Sequence, residues 1–360
     1  MALISTEVKR RYKAFWNREA ADRALLSITV PAGPAAEAID ELKPQTPEQM
    51  YTDIELRYRQ MEHKLVNTLC FGEAFPRDHI NFGPGALAAM IGGSHTWSWY
   101  TVWFGEEYTP LQEWDNLDSV RLDESSEVYR LTMDMTRIFA ERSKGRYVTG
   151  ISDIGGTLDV VASLRSTWNL LTDLYDYPQE ILKAVALVDD LFETVFTRLY
   201  AILRQSGQDG MTTWMGLWND RRYYPLQCDF SAMISPDAFA EFVMPSLRRG
   251  VDFLDNSVYH LDGAGELPHL DQLLSLERLD AIQWVPGDGA APVWEDCWFP
   301  YYEKIQASGK GLILLDAGEP QHMTKLLKNL SHKGLYLDAR LQSVEQAEEV
   351  IRKAAEWARK

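Results

Sequence analysis

A histidine and an aspartate two residues apart can work as an acid/base pair or hold a metal ion. Ser257 to Glu266, Ser-Val-Tyr-His-Leu-Asp-Gly-Ala-Gly-Glu, carries such a pair at His260 and Asp262. On a strand, positions i and i+2 face the same side, so the two side chains share a surface. Val258 to Leu261 is apolar, too short for a helix, and stops at Asp262-Gly263-Ala264-Gly265. Leu267, Leu270, Leu273 and Leu274 then recur at helical spacing. Ala281 to Val285 is the next buried strand, stopped by Pro286-Gly287, with Gln283 and Asp288 near its end. Parallel α/β folds bind ligands at the carboxyl ends of their strands, so this is where chemistry is expected. The bland alternative for His260 and Asp262 is a hydrogen bond that shapes the glycine turn. His269, on the following helix, reads as a packing histidine.

Other strand ends add to the set. Asp153, Asp316 and Asp338 each follow or end an apolar run, and each could instead cap the next helix. Carboxylates gathered at one mouth raise each other's pKa, which suits proton transfer. Arg340 could neutralise them or grip a substrate carboxylate with both nitrogens. Arg222 lies in a charged loop, Asn219-Asp220-Arg221-Arg222, that could bind substrate or be solvated surface. Cys228 could be a metal ligand or nucleophile, but a small buried side chain is the commoner fate. Trp218 and Trp284 fall near strand ends, and Trp97, Trp99 and Trp103 lie on an aromatic stretch. Tryptophan faces at a mouth suit sugar rings, tetrapyrroles or methylated ammonium groups. An acidic, aromatic pocket would favour a cationic or neutral substrate over a polyanion.

Eight short apolar runs must position these residues: Leu25–Val30, His79–Phe82, Tyr147–Ser152, Met211–Leu217, Val258–Leu261, Ala281–Val285, Gly311–Leu315 and Gly334–Leu337. Helical segments separate them, among them Thr46 to about Leu69, Leu122–Arg142, Leu158–Leu174, Pro178–Leu203 and Val344–Arg359. Strand–helix alternation argues for parallel pairing, and eight units argue for a closed (β/α)8 TIM barrel. An open doubly wound sheet is the alternative, but no Gly-x-Gly-x-x-Gly follows the first strand and there is no P-loop. Residues 95–114 alternate and are rich in aromatics, the pattern of an inserted β-hairpin. No linker divides the chain, so residues 1–360 are expected to form one domain, with residues 1–24 a helical segment packing on the barrel.

The 360 residues carry a net charge of −17, which disfavours the phosphate backbone of nucleic acid as a partner. Cys70, Cys228 and Cys297 are far apart with no CxxC spacing, as in a reducing compartment. No stretch nears the roughly 18 apolar residues of a membrane span, and no signal-peptide core is present. A cytoplasmic protein is expected.

Three passages resemble the uroporphyrinogen decarboxylase superfamily, which holds the haem-pathway decarboxylase and the zinc-dependent corrinoid-linked methyltransferases. Ser235-Pro236-Asp237-Ala238-Phe239-Ala240-Glu241-Phe242-Val243-Met244-Pro245-Ser246-Leu247 is similar to the family's "SPEMFREFVLPYL" helix. Tyr259-His260-Leu261-Asp262-Gly263 stands where the family has "H-x-C-G" or "KDG", and Gly150-Ile151-Ser152-Asp153-Ile154-Gly155-Gly156-Thr157-Leu158 is similar to "GFAGAPWTL". The resemblance covers nearly the whole chain and implies a barrel with its site at the strand carboxyl ends, and a homodimer.

Two departures bear on activity. The decarboxylases' "RQAGRY" arginines are absent after the first strand, Thr29-Val30-Pro31-Ala32-Gly33, and the aspartate of "FSDIL" is absent near Phe82-Gly83-Pro84. Both count against an octacarboxylate substrate. The methyltransferases' zinc-binding cysteines are replaced, the first by Asp262, and the last strand has none. A His260/Asp262/Asp338 set could still hold a divalent metal, zinc or a harder ion.

The resemblance thus points first to methyl transfer. A small methylated substrate would be demethylated, or a methyl group delivered to an acceptor, with a corrinoid on a partner protein or a thiol taking part. His260 and Asp262 would position substrate or metal, supported by Asp338 or Asp316. The alternative is a decarboxylase or other lyase acting on a modest carboxylate, with Arg340 or Arg222 holding the acid and His260 or Asp153 supplying the proton. A barrel that binds a sugar or tetrapyrrole without chemistry is the third expectation.

Overall fold

The computed structural model describes residues 3–19, 22–33, 40–105 and 108–357. Parts of the expected N-terminal segment and hairpin, and the closing helix beyond Trp357, lie outside the described residues.

In chain order, helix α1 (Thr6–Trp16) leads to strand β1 (Leu25–Pro31). Then come α2 (Pro47–Thr52), α3 (Ile54–Val66), β2 (Thr68–Gly72), β3 (Arg77–His79) and α4 (Ala86–Met90). A small hairpin of β4 (His95–Trp97) and β5 (Val102–Phe104) precedes α5 (Glu127–Ser143), β6 (Val148–Gly150), α6 (Thr157–Arg165), α7 (Thr167–Asp176) and α8 (Pro178–Gln205). The second half alternates: β7 (Tyr223–Gln227), α9 (Pro236–Phe242), α10 (Met244–Phe253), β8 (Asn256–Asp262), α11 (Leu270–Leu274), β9 (Ala281–Val285), α12 (Phe299–Ala307), β10 (Gly311–Leu314), α13 (Pro320–Asn329), β11 (Leu335–Arg340) and α14 (Val344–Trp357).

Seven strands form one sheet in the order β2-β1-β11-β10-β9-β8-β7. All neighbours run parallel except β2, which lies antiparallel on β1 at the edge. Strands β3 and β6 make a separate parallel pair. The fold is therefore α/β with a mostly parallel sheet, and both faces of the strands are apolar because helices cover the outside. Register brings Gln227, His260, Gln283, Ile313 and Tyr336 side by side on one face.

Four expectations are corrected. The expected fourth strand, Met211–Leu217, is no strand: Met211 makes an isolated antiparallel bridge to Asn219, and the chain doubles back between them. This return packs on the sheet's inner face, where Tyr336 Oη donates to the Gly216 carbonyl (3.4 Å) and Tyr223 Oη to that of Leu217 (2.8 Å). Its place in the sheet is taken by β7, whose Pro225 hid it from view. Proline lacks an N–H, but β7 ends the sheet, so one side of its backbone needs no partner. The helix expected over Thr46 to Leu69 breaks at Asp53, and its last residues become β2. The helix expected over Leu158–Leu174 breaks at Ser166, whose φ of 75° no α-helix accommodates. Finally, β11 runs on to Arg340, so Asp338 and Arg340 lie on the strand rather than beyond it.

The amino ends of the strands are closed by α1. Trp16 Nε1 donates to the Trp218 carbonyl (2.9 Å), and Tyr12 Oη to that of Glu73 (3.0 Å). Arg23 forks onto Glu73 with two bonds of 2.7 Å, and the Leu26 amide donates to the same carboxylate (2.8 Å). Both charged side chains are buried, so removing one would strand the other at a cost of about 3–5 kcal/mol. No described helix is long and apolar enough to cross a membrane.

Candidate active site

Two groups of side chains face each other across the carboxyl ends of the strands, one acidic and one basic. The acidic group is built by β7, β8, β9 and the loop after β6. Parallel register sets His260 opposite Gln227 on one side and Gln283 on the other. His260 Nδ1 makes a short hydrogen bond with Gln283 Oε1. An amide oxygen only accepts, so Nδ1 is the donor in this bond and Nε2 is left for the acidic side. Nε2 faces Asp262 Oδ2 at 3.8 Å. Asp229, just beyond β7, completes the group: one ligand atom from each of Asp229, His260 and Asp262 lies within 4.8 Å of the others. An imidazole with two carboxylates suits a divalent cation with positions left for substrate or water. The donor set fits such an ion, and the proton on Nδ1 is held by Gln283 as outer partners of metal-binding histidines commonly do.

Asp338, the third metal ligand expected from the sequence, is not in this group. It faces the other half of the mouth, where Arg77 Nη2 approaches its Oδ2 at 3.5 Å. The reason is register: β11 sits three strands from β8, whereas Asp229 follows β7, its neighbour.

Three carboxyls stand behind the acidic group. Asp153 accepts from the Gly155 amide and Tyr224 Oη, both at 2.8 Å. Burial pushes its pKa up to about 6, against the pull of these bonds and of His260. Asp159, on the first turn of α6, accepts from the Asp229 and Phe230 amides at 3.1 and 2.8 Å, and thereby fixes the loop that carries Asp229. Burial, then Asp229, raise it to about 7. Glu266 accepts from the Asp262 amide (3.2 Å), and burial, then Asp229, raise it to about 9. At neutral pH Glu266 keeps its proton. Cys228 is buried and its thiol pKa is pushed far up by burial, so it offers no thiolate.

The basic half surrounds a cavity of about 470 Å³ between β1, β2, β3 and β11. Lys64, Arg77, Asp78, His79, Asp338 and Arg340 line it. Burial holds His79 neutral, its pKa down to about 4. Trp214 lines this cavity and also stands edge-on to the His260 ring, 6.4 Å away, so it joins the two halves.

The remaining candidates are dispersed. Arg222 precedes β7, at the amino ends of the strands, and pairs with Asp255 (3.0 Å). Trp218 is buried at that same end, against Tyr12. Trp284 points outward from β9 and packs on Trp298, ring centroids 4.9 Å apart. Asp288 and Asp316 are exposed at the mouth, Asp316 with a strained φ of 51°. Trp97 stacks on Tyr51, while Trp99 and Trp103 are half exposed. His269 is buried flat against Phe239, with Nε2 hydrogen-bonded to the Ser231 carbonyl (2.9 Å). Asp229, Gln283, Trp214 and Arg77 were not singled out as site residues from the sequence. Only the position of Gln283 at a strand end marked it.

No protein-family model matches the sequence, and no curated protein matches it. Among solved structures, a methyltransferase from Methanosarcina mazei superposes with a TM-score of 0.63 at 12% identity, covering 97% of this chain and 98% of that one. A B12-independent methionine synthase from Shewanella sp. W3-18-1, in complex with selenomethionine, gives a TM-score of 0.36 at 12% identity over 63% of this chain and 66% of that one. The chain thus shares, over nearly its whole length, the fold of that methyltransferase.

Proposed function

We propose that the chain is a methyl-transfer enzyme on a closed eight-stranded barrel of the uroporphyrinogen decarboxylase type, a single domain over residues 1–360. The observation that carries this is the Asp229–His260–Asp262 group with its imidazole locked by Gln283. The group sits at the strand ends of a fold shared with a protein described as a methyltransferase. Asp229, His260 and Asp262 would hold a divalent ion, which supplies the positive charge that keeps an attacking thiol deprotonated.

The chain's own residues do the rest. Gln283 fixes the His260 tautomer. Asp159 holds the Asp229 loop by two amide bonds. Asp153, with a pKa near 6 and a hydrogen bond from Tyr224, holds or releases a proton beside His260. Trp214 offers an aromatic face to a methyl group and shields it from water. The substrate is a small methylated molecule, and the methyl donor or acceptor is a thiol or a corrinoid carried by a partner protein. We place the enzyme in the cytoplasm as a homodimer.

A second reading, decarboxylation of a modest carboxylate, is favoured by one observation: a protonatable Asp153 across the mouth from Arg77 and Arg340. The carboxylate would leave as carbon dioxide, and Asp153 would protonate the carbanion left behind.

Elemental analysis of the metal-loaded protein tests the first reading. About one divalent ion per chain is expected, lost in His260→Ala, Asp229→Ala and Asp262→Ala. In parallel, methylcobalamin with a thiol acceptor should yield free corrinoid, read by its absorbance. A protein that holds no ion under any loading condition would end the activated-thiol reading, and carbon dioxide release would promote the second.

A further inference from the structure

We infer that Trp214 is a specificity-determining residue: its indole is the wall between the acidic group and the cavity of about 470 Å³, and its bulk limits which molecules reach His260 past it. What this means for substrate choice rests on His260 being the reaction centre, as proposed above, whereas the wall itself rests on geometry alone.

Trp214 belongs to both compartments. The cavity is lined from β1, β2, β3, β11 and the end of α3, and by Thr213 and Trp214, while Asp229, His260 and Asp262 are not part of its lining. On the other side the indole stands perpendicular to the His260 ring, 6.4 Å away, and nearly so to Tyr224, 5.7 Å away.

The backbone fixes the indole in this place. Every residue from Met211 to Asn219 is buried except Trp214. The bridge between Met211 and Asn219 closes the return. Within it the Thr213 amide donates to Tyr223 Oη (3.1 Å), the Gly216 amide to the Thr213 carbonyl (3.1 Å), and Tyr223 Oη to the Leu217 carbonyl (2.8 Å). Shifting the return would leave these buried groups unpaired, at about 1–3 kcal/mol each.

The side chain, by contrast, has no polar anchor. Trp16 and Trp298 each donate Nε1 to a carbonyl at 2.9 Å. Trp214 Nε1 makes no hydrogen bond among the described residues, although a tryptophan N–H in a protein interior usually finds one. Its two neighbours are tied down: Tyr224 Oη donates to Asp153 and accepts from the Ile154 amide, both at 2.8 Å, and His260 is bonded to Gln283. Of these three rings Trp214 is the one that acts by bulk alone. A molecule that extends from the cavity to His260 must pass the indole or rotate it about its two side-chain bonds. Thin, unbranched reactants such as a straight-chain thiol are therefore favoured over branched or aromatic ones.

The test needs neither a bound ion nor turnover. His260→Cys puts a thiol on the acidic side of the wall. This protein is alkylated with iodoacetamide and with N-phenylmaleimide, and the rates are read peptide by peptide by mass spectrometry, with the exposed Cys297 as reference. The ratio of the two rates cancels changes in the thiol's own reactivity. Adding Trp214→Ala should raise the phenylmaleimide-to-iodoacetamide ratio at position 260 about tenfold, and Trp214→Phe, which keeps a ring in place, about twofold, with the ratio at Cys297 unchanged. In the protein with His260 intact, methylcobalamin should methylate ethanethiol but not benzenethiol or 2-methylpropane-2-thiol, and Trp214→Ala should admit all three. A ratio at position 260 that neither Trp214 variant changes overturns the wall, whatever the activity. A ratio that rises as expected, with no thiol methylated by any variant, upholds the wall and sinks the reaction centre instead.

Discussion

Replacing Asp153 by asparagine should stabilise the protein at neutral pH while harming its chemistry. Asp153 is held by the Gly155 amide and Tyr224 Oη, both donors that an asparagine oxygen can still satisfy. What changes is the cost of burying its charge. An aspartate moved from 3.8 to about 6 binds its proton more tightly in the folded than in the unfolded chain. Below pH 3.8 both states are protonated and the group contributes no penalty. As pH rises toward 6 the unfolded chain ionises first, and the folded state loses ground by about 1.4 kcal/mol per pH unit. Above pH 6 the penalty is complete, at most about 3 kcal/mol, since the side chain keeps some solvent contact. Urea unfolding of wild type and Asp153→Asn at pH 4 and pH 8 reads this directly. The variant's advantage should be near zero at pH 4 and reach about 1–3 kcal/mol at pH 8. An advantage independent of pH, or a variant less stable at pH 8, would refute burial as the cause of the shift.

Glu266→Gln should be nearly neutral in stability at pH 4, where the acid is protonated in both folded and unfolded chains, and increasingly stabilising as pH rises from about 4.5 toward 9, because the unfolded chain ionises first; the same unfolding assay reads it. Gln283→Leu removes the acceptor that fixes His260 Nδ1 and should weaken divalent-ion binding about 10–100-fold in a chelator competition, with thermal stability of the metal-free protein little changed. Gly216→Ala forces a Cβ into the Arg77 guanidinium at a φ of 76° and should cost about 2 kcal/mol or more in urea unfolding.

Local pattern was enough for much of the molecule. The alternation Val258 to Asp262 and the apolar run Ala281 to Val285 are strands because short runs bounded by glycine and proline leave no room for a helix. The same pattern set His260 and Asp262 on one face at a strand end, and that is a matter of period two alone. The Ser235 cap announced α9, where its side chain accepts from the Ala238 amide.

What the tertiary structure decided was which strand stands beside which. Asp229 joins His260 because β7 pairs with β8, and β7 was hidden by a proline that only an edge position tolerates. Asp338 leaves the acidic group because β11 lies across the sheet, where it meets Arg77 from a separate strand pair. Trp218 and Arg222 fell to the amino ends once Met211 to Asn219 folded back on itself. Sequence records neighbours along the chain and the face each occupies. Pairing across a sheet is settled by hydrogen-bond register and by the helices packed around it, and those bring together residues more than a hundred positions apart, as Arg77 and Asp338 are.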